Sequence, residues 1–154
     1  MGQEDAQVPK TREGRMGDVR VEVELENVID RGRADMGDIP EGEVRSARVR
    51  VLADSGSRML MLPEQLVQAL GLRERRRVIV TYADERREER PVAGVVTVRV
   101  ANRSSTGECI VGPPGSEPLL GQIELESMDL LVNCAEQRLV PRPESPLLPL
   151  VPLK

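Results

Sequence analysis

The sequence predicts an all-β fold, a small barrel or sandwich that contains one short helix. About seven or eight short segments alternate apolar and polar residues with the period of two that half-buried strands show. Clusters of Gly, Pro, Asp and Asn separate these segments, and such clusters are typical of turns. Because the strands do not alternate with helices, an α/β fold is disfavoured. At 154 residues the chain is long enough for one domain with a buried core.

The first two predicted strands flank a loop-like segment. In 19–27, "VRVEVELEN", charged side chains fall on one face and apolar side chains on the other, namely Val19, Val21, Val23 and Leu25. The segment 28–43 is rich in Gly, Asp and Pro, so we expect a loop there. Alternation returns over 43–53, which predicts a second strand that ends just before Asp54.

The one clear helix is predicted to follow a short apolar run at 58–62. In 63–72, "PEQLVQALGL", Pro63 and Glu64 are typical of a first helical turn, and Gly71 is typical of a C-terminal cap. Between them three apolar residues share one face, namely Leu66, Val67 and Leu70. This spacing predicts a short helix that packs on the sheet.

The rest of the chain is predicted to continue as strands and turns. We expect strands at 77–82, 92–101, 109–112, 129–132 and 137–141, and turns or loops at 83–91, 102–108, 113–118 and 133–136. The segment Ile123–Met128 has the pattern of a helical turn or two. The last residues are rich in proline, which predicts an extended, polyproline-like tail.

Charge and hydropathy favour no nucleic-acid or membrane partner. The net charge is −4 and both signs are mixed along the chain, whereas nucleic-acid binding usually requires a basic surface. The basic tract "RERRR" at 73–77 is interpreted as a solvated surface. No run of apolar residues approaches the length of a membrane span, and the N-terminus lacks an apolar signal region. We therefore expect a cytoplasmic protein.

The missing residue types restrict the chemistry. The chain has no histidine, which excludes Ser-His-Asp and Cys-His catalysis and histidine-ligated metals. Cys109 and Cys134 are the only cysteines; they are too few for a structural zinc site, and we expect both to be small buried hydrophobic residues. We predict no metal and no cofactor. The only aromatic residue is Tyr82, so the core must be aliphatic.

The candidate catalytic residue is Asp54, where an apolar strand ends and a tight turn begins. Ser55 and Ser57 offer hydroxyl groups, and Gly56 permits a close approach of the backbone. Such a turn can surround an ionised carboxylate with hydrogen-bond donors. Taken alone, Asp-Ser-Gly is more typical of an ordinary turn than of an active site.

Two motifs in the same order resemble those of the retropepsin-like aspartic proteases, above all their small bacterial and archaeal single-domain members. The first is a strand that ends in Asp-Ser-Gly and is followed by an apolar run and a Leu-Pro-Glu helix. The second is "EPLLGQIELESMDLLVN", which contains a paired-hydrophobic-Gly segment at Leu119, Leu120 and Gly121. The resemblance predicts a protease domain at 18–143. It leaves out residues 1–17, whose polar sequence without periodicity predicts a disordered leader, and the proline-rich tail at 144–154.

The resemblance implies a small closed barrel and a homodimeric active site that needs no cofactor. Asp54 would be the catalytic carboxylate, and one copy cannot form the dyad, so two subunits would each contribute one. Ser55 would form a hydrogen bond across the dimer, and Gly56 would let the backbone approach the carboxylates. The Ser57 hydroxyl would lower the apparent pKa values of the dyad. We therefore expect an acidic pH optimum whose acid limb moves upward in the Ser57→Ala variant.

The hairpin between the two motifs corresponds to the flap that closes over a bound peptide. The resemblance places Tyr82, Ala83 and Asp84 near its tip, in contact with substrate. Glu85 stands where many relatives have glycine, which would stiffen or reshape the tip. Tyr82 is equally well explained as a cross-strand packing residue. The segment Leu119–Gly121 would be a loop that supports the active-site strands.

Three functions remain open at this level. The first is an aspartic endopeptidase that hydrolyses peptide bonds with a water activated by the dyad. The aliphatic composition of the chain favours apolar side chains in the substrate of such an enzyme. The second is a catalytically weak or inactive dimer that binds peptides. The third is a small β-barrel interaction protein, whose proline-rich tail serves as a docking segment.

Overall fold

The computed structural model describes residues 17–153, and in this part the fold is mostly β. Its strands are β1 (Val19–Asn27), β2 (Ser46–Ala53), β3 (Met61–Pro63), β4 (Arg73–Thr81), β5 (Arg87–Val100), β6 (Arg103–Gly112), β7 (Leu119–Leu120), β8 (Leu130–Asn133) and β9 (Arg138–Pro141). Its helices are α1 (Val28–Asp35), α2 (Glu64–Ala69) and α3 (Gln122–Met128), with a 3-10 turn at Glu41–Glu43. The prediction of an all-β fold is confirmed. Helices α2 and α3 lie where a short helix and a helical turn or two were predicted, whereas α1 was not predicted.

Seven strands form one sheet that closes on itself. The strand order is β1-β2-β7-β3-β6-β5-β4, and β1 also pairs with β5. The pairing between β1 and β5 therefore turns six of the strands into a ring and leaves β4 outside it. Strands β8 and β9 form a separate two-stranded sheet.

The core lies inside this ring and is almost entirely aliphatic. Alternation along β1 places Val19, Val23 and Leu25 in the interior, each no more than 2% exposed. Leu66, Val67 and Leu70 of the α2 segment join the same core or pack against it. With aromatic rings absent from this core, its stability depends on the close packing of Val, Leu and Met side chains.

The expectation of a loop at 28–43 is wrong, because most of this segment is helical. Helix α1 begins after Asn27, whose side-chain oxygen accepts a hydrogen bond from Asp30 N at 2.9 Å. Asp30 is itself buried and accepts a bond of 2.8 Å from Arg45 Nε. The helix is stabilised by this cap and this ion pair, and it has no apolar stripe that periodicity could reveal.

The turn predicted at 102–108 is also wrong, since β6 already begins at Arg103. Its polar residues pair in antiparallel register with β5, and the hydroxyls of Thr97 and Thr106 lie 2.9 Å apart. The exposed basic tract 73–77 likewise belongs to strand β4. The backbone partners that a neighbouring strand provides explain why polar sequence adopts a strand in both places.

One of the two cysteines is placed as expected. Cys109 is fully buried, and burial raises the pKa of its thiol to about 12. Cys134 is exposed, because it lies in the turn between β8 and β9, so the expectation that it is buried is wrong.

The predicted leader lies outside the described residues apart from Gly17. Within 17–153, each helix is too short or too polar to cross a membrane.

Candidate active site

The Asp54 turn lies between two strands that both contact β7. Strand β2 ends at Ala53, which pairs in parallel with Leu120, and Asp54 N donates to Leu120 O at 2.9 Å. On its other side β7 pairs with β3, through Leu119 and Met61. The chain therefore enters the Asp54 turn on one side of β7 and leaves it on the other, which fixes both ends of the turn.

The carboxylate of Asp54 is held by the backbone of its own turn. Asp54 Oδ1 accepts a hydrogen bond from Gly56 N at 2.9 Å. The backbone carbonyl oxygen of Asp54 accepts one from Ser57 N at 3.0 Å. A side chain at Gly56 would begin 3.2 Å from the same Oδ1, which is tight for a carbon atom. Asp54 is half-buried, whereas Ser55 and Gly56 are exposed. The turn thus presents an oriented carboxylate at the surface of the chain.

The two serines of the turn have different surroundings. The Ser57 hydroxyl donates to Met59 O at 3.4 Å rather than to the Asp54 carboxylate. The Ser55 side chain faces solvent at the edge of a groove. In this single chain neither hydroxyl contacts the carboxylate, so the roles predicted for both remain predictions.

The segment Leu119–Gly121 and helix α3 are bonded directly to the turn. Gln122 N donates to Ser57 O at 2.7 Å, and Ile123 N donates to Arg58 O at 3.0 Å. A side chain at Gly121 would begin only 2.6 Å from Met59 N. Glycine at 121 therefore lets α3 approach the backbone that follows Asp54. The structure brings the two sequence motifs together.

Glu124 is a site residue that sequence reasoning missed. It is 5% exposed, and its Oε1 accepts a hydrogen bond from Gly121 N at 3.0 Å, which completes the cap at the start of α3. Burial raises the pKa of Glu124 above its usual range. The spacing Gly121-x-x-Glu124 is the signal that could have revealed it, because a glutamate at the third helical position often bonds back to the cap residue.

Strands β4 and β5 form the hairpin that was predicted to contain the flap. At its tip Tyr82 N donates to Arg86 O, and Glu85 N donates to Tyr82 O, both at 2.8 Å. Ala83 and Asp84 are exposed. Glu85 has φ 67°, a left-handed conformation that favours glycine.

The Tyr82 side chain is engaged within the hairpin. Its hydroxyl donates to Glu88 Oε1 at 2.6 Å, and the Arg86 guanidinium lies 4.3 Å from the ring centroid. The bond to Glu88 raises the pKa of Tyr82. These contacts match the cross-strand alternative, and contact with a substrate remains a prediction. The tip residues line neither of the two cavities described below.

Two cavities adjoin the Asp54 turn. The larger, about 630 Å³, is called here the Ser55 groove and is lined by Ser55, Gln122, Leu125, Glu126, Asp129, Leu130, Leu131, Val132, Arg142, Leu150 and Pro152. The smaller, about 300 Å³, lies beyond Arg58 and Met59 and reaches β5, β6 and Glu124. Within 17–153, no three His, Cys, Asp or Glu side chains cluster in a way that could hold a metal ion.

Comparison with known proteins identifies the family. A family model described as aspartyl protease matches residues 41–123, more than half of the chain. The matched range includes the Asp54 turn, the β4–β5 hairpin and the segment Leu119–Gly121. No curated protein matches the chain. The chain belongs to an aspartyl protease family of the retropepsin-like clan.

Proposed function

We propose that the protein is a homodimeric aspartic endopeptidase in which Asp54 of two subunits forms the catalytic dyad. The observation that carries the proposal is the Asp54 turn itself, whose carboxylate is oriented by Gly56 N while Leu120 O holds its backbone. The turn lies inside the range matched by an aspartyl protease family. Ser55, Gly56 and Ser57 would support the dyad.

The proposed chemistry is proton transfer between two carboxyl groups and a water. Two carboxylates held close together share one proton, because they cannot both ionise. The ionised group accepts a proton from the water as the water oxygen attacks the peptide carbonyl carbon. The protonated group gives its proton to the carbonyl oxygen. The group that took the proton from the water then donates it to the leaving nitrogen, while the other carboxylate takes a proton from a hydroxyl of the gem-diol. The C–N bond breaks, and the dyad again holds one proton.

A second copy of the chain would complete the site. The sequence contains a single Asp-Ser-Gly, and in each chain Ser55 and Gly56 are exposed beside it. The Ser55 groove next to the turn is lined by Leu125, Leu130 and Val132. Leu125 and Leu130 are already buried in the single chain, whereas Leu131 of the same lining is exposed and Val132 is half-buried. A two-fold axis beside Asp54 would bring the two carboxylates together and cover Leu131 and Val132 in the same step.

The substrate would be an extended peptide held between the Asp54 turn and the β4–β5 hairpin. At the tip of the hairpin, Tyr82, Ala83 and Asp84 would close over the peptide. On the opposite side, Leu119–Gly121 would support the Asp54 turn. The aliphatic composition favours apolar side chains in the peptide. An acidic pH optimum is expected of a shared-proton dyad.

The test is cleavage of a peptide library by the wild type and by Asp54→Asn, from acidic to neutral pH. Asn keeps the size of the side chain but can neither share the proton nor accept one, so we expect kcat/KM to fall by about 1,000-fold or more. Asp38→Asn is the matched control, since Asp38 is exposed and lies in the turn region before β2. A pepstatin-type inhibitor should block the wild type. Cleavage that persists in Asp54→Asn refutes the mechanism.

A second candidate is a dimer that binds peptides without cleaving them. The tip of the hairpin favours this candidate, because Glu85 has a left-handed backbone and the Tyr82 hydroxyl is bonded to Glu88. These contacts hold the tip in one conformation in the absence of substrate. Peptide binding by both the wild type and Asp54→Asn, with cleavage by neither, would support this candidate instead.

A further inference from the structure

The proline-rich C-terminal segment is anchored to the domain by a buried carboxylate. Asp129 ends α3 in a left-handed conformation and is 7% exposed. Its carboxylate accepts hydrogen bonds from Arg142 Nε, Ser145 Oγ and, at 2.9 Å, Leu150 N. These donors, Ser145 first, hold the pKa of Asp129 well below its usual range. We call this set of contacts the tail clasp.

A second buried charge reinforces the tail clasp from β6. Arg103 is 4% exposed and donates to Met128 O at 2.9 Å, to Asp129 O at 3.0 Å and to Ser145 O. Asn102 adds a bond of 3.3 Å to Leu147 O. The segment that follows β9 is therefore tied to β6 and α3 at several points, and Ser145 is itself buried.

The tail clasp holds in place a segment whose apolar side chains face solvent. This segment, 146–153, is called here the tail arm, and proline occupies every third position in it, at Pro146, Pro149 and Pro152. Its exposed fractions are 78% at Leu147, 68% at Leu148, 53% at Leu150, 65% at Val151 and 94% at Leu153. A run of exposed apolar side chains of this kind is typical of a protein contact, and a proline-rich segment loses little conformational entropy on binding.

The position of the tail arm indicates the partner. Leu150 and Pro152 line the Ser55 groove, together with Leu125 and Leu130. Ser55, which lines the same groove, directly follows Asp54. If two Asp54 carboxylates meet at a two-fold axis, the groove opens onto the second subunit. The tail arm then lies at the contact between the subunits.

We propose that the tail arm is a contact arm of the dimer, with Leu150 and Pro152 packed against a second copy of this chain at the Ser55 groove. This inference rests on the proposed dimer. It adds residues beyond the range 41–123 that the family model matches. The contact is isologous, so each subunit presents the same apolar surface to the other, and the tail clasp orders the arm before the subunits meet.

The experiment compares two exposed leucines of the tail arm by sedimentation equilibrium on the full chain. Leu150→Ala removes a side chain that lines the Ser55 groove, whereas Leu147→Ala removes one that does not. We expect Leu150→Ala to weaken dimerisation about 10-fold and Leu147→Ala to leave the dimer constant within about 2-fold. In Asp129→Asn the side-chain amide NH2 is itself a donor, so it cannot accept the bonds that the three donors of the tail clasp make to the carboxylate. This variant should release the tail arm and weaken dimerisation, as Leu150→Ala does.

The outcomes separate this inference from the proposed enzyme. A dimer that depends on Leu150 but cleaves no peptide supports the arm and contradicts the endopeptidase. A dimer that responds equally to Leu147→Ala and Leu150→Ala overturns the arm and leaves the endopeptidase standing. A wild type that stays monomeric at the highest concentration measured overturns both. Tighter dimerisation after Leu150→Ala overturns the arm, because it would show that the tail blocks the contact.

Discussion

Replacing Gly121 by alanine should separate the Asp54 turn from the segment that supports it. A Cβ at Gly121 would lie 2.6 Å from Met59 N and 2.8 Å from both Met59 C and Met59 Cα. Carbon atoms in contact normally stay about 3.5–4.0 Å apart, so the two backbones must separate by about 1 Å. The obstacle is main chain on both sides, and no side chain can rotate to make room.

The expected loss of stability follows from the hydrogen bonds that the separation of the two backbones would lengthen. The bonds from Gln122 N to Ser57 O, at 2.7 Å, and from Ile123 N to Arg58 O, at 3.0 Å, span the gap that must widen. Overpacking a core by one methyl group typically destabilises by about 1–3 kcal/mol. Because backbone must move here, we expect about 3 kcal/mol, at the top of that range. The same shift would pull Leu120 O away from Asp54 N, so kcat/KM should fall as well.

Urea unfolding followed by circular dichroism at a fixed protein concentration measures this loss. For a slope of about 2–3 kcal/mol per molar urea, the midpoint should fall by about 1 M. Gly32→Ala is the matched control: its Cβ would meet nothing within 4 Å, and in the interior of α1 alanine should stabilise by about 0.5–1 kcal/mol. If Gly121→Ala unfolds within about 0.5 kcal/mol of the wild type, the steric argument is refuted.

Two further predictions test the buried carboxylate and the hairpin tip. Burial raises the pKa of Glu124 above its ordinary 4.5, so its contribution to stability is complete below that value and is lost as the pH rises through the raised pKa. Glu124→Gln keeps the oxygen that accepts the bond from Gly121 N, and its side chain cannot ionise. As the pH rises from about 4 to 8, the urea midpoint of the variant should therefore rise relative to that of the wild type. Midpoints that keep a constant difference over this range would contradict a raised pKa of Glu124. Glu85→Gly removes a left-handed non-glycine residue, which should relieve about 1 kcal/mol of strain, partly offset by the entropy of glycine in the unfolded chain. Thermal unfolding should show an equal or higher midpoint for Glu85→Gly, and a clearly lower midpoint would show that the tip depends on the Glu85 side chain.

Strands with one buried face could be predicted from the sequence, and strands or helices held by polar contacts could not. β1 and β2 show clean alternation because one face of each packs in the core. Helix α1 has no such face and depends on the Asn27 cap and the Asp30–Arg45 pair. The start of β6 carries serines and threonines, and its pairing with β5 is invisible to local propensity.

The candidate site divides in the same way. Asp54 and Gly121 could be predicted because a strand end, a tight turn and a close backbone approach all restrict residue type locally. The tail clasp could not. It joins Asp129 to donors at Arg142, Ser145 and Leu150, and no short-range pattern links a helix-ending aspartate to a proline-rich segment that follows a hairpin.

The site proposed here has two parts that respond to different perturbations. The bonds that hold the Asp54 turn lie within one chain and involve Leu120, Gln122 and Ile123. Because Gly121 permits the close approach that these bonds need, Gly121→Ala should lower stability and activity even at saturating protein concentration. The tail arm acts only through association, so Leu150→Ala should lower activity at low concentration and recover it at high concentration. A concentration series of both variants therefore separates a defect in positioning Asp54 from a defect in bringing two Asp54 residues together. If added protein restored Gly121→Ala as fully as Leu150→Ala, the support of the turn would itself belong to the subunit contact.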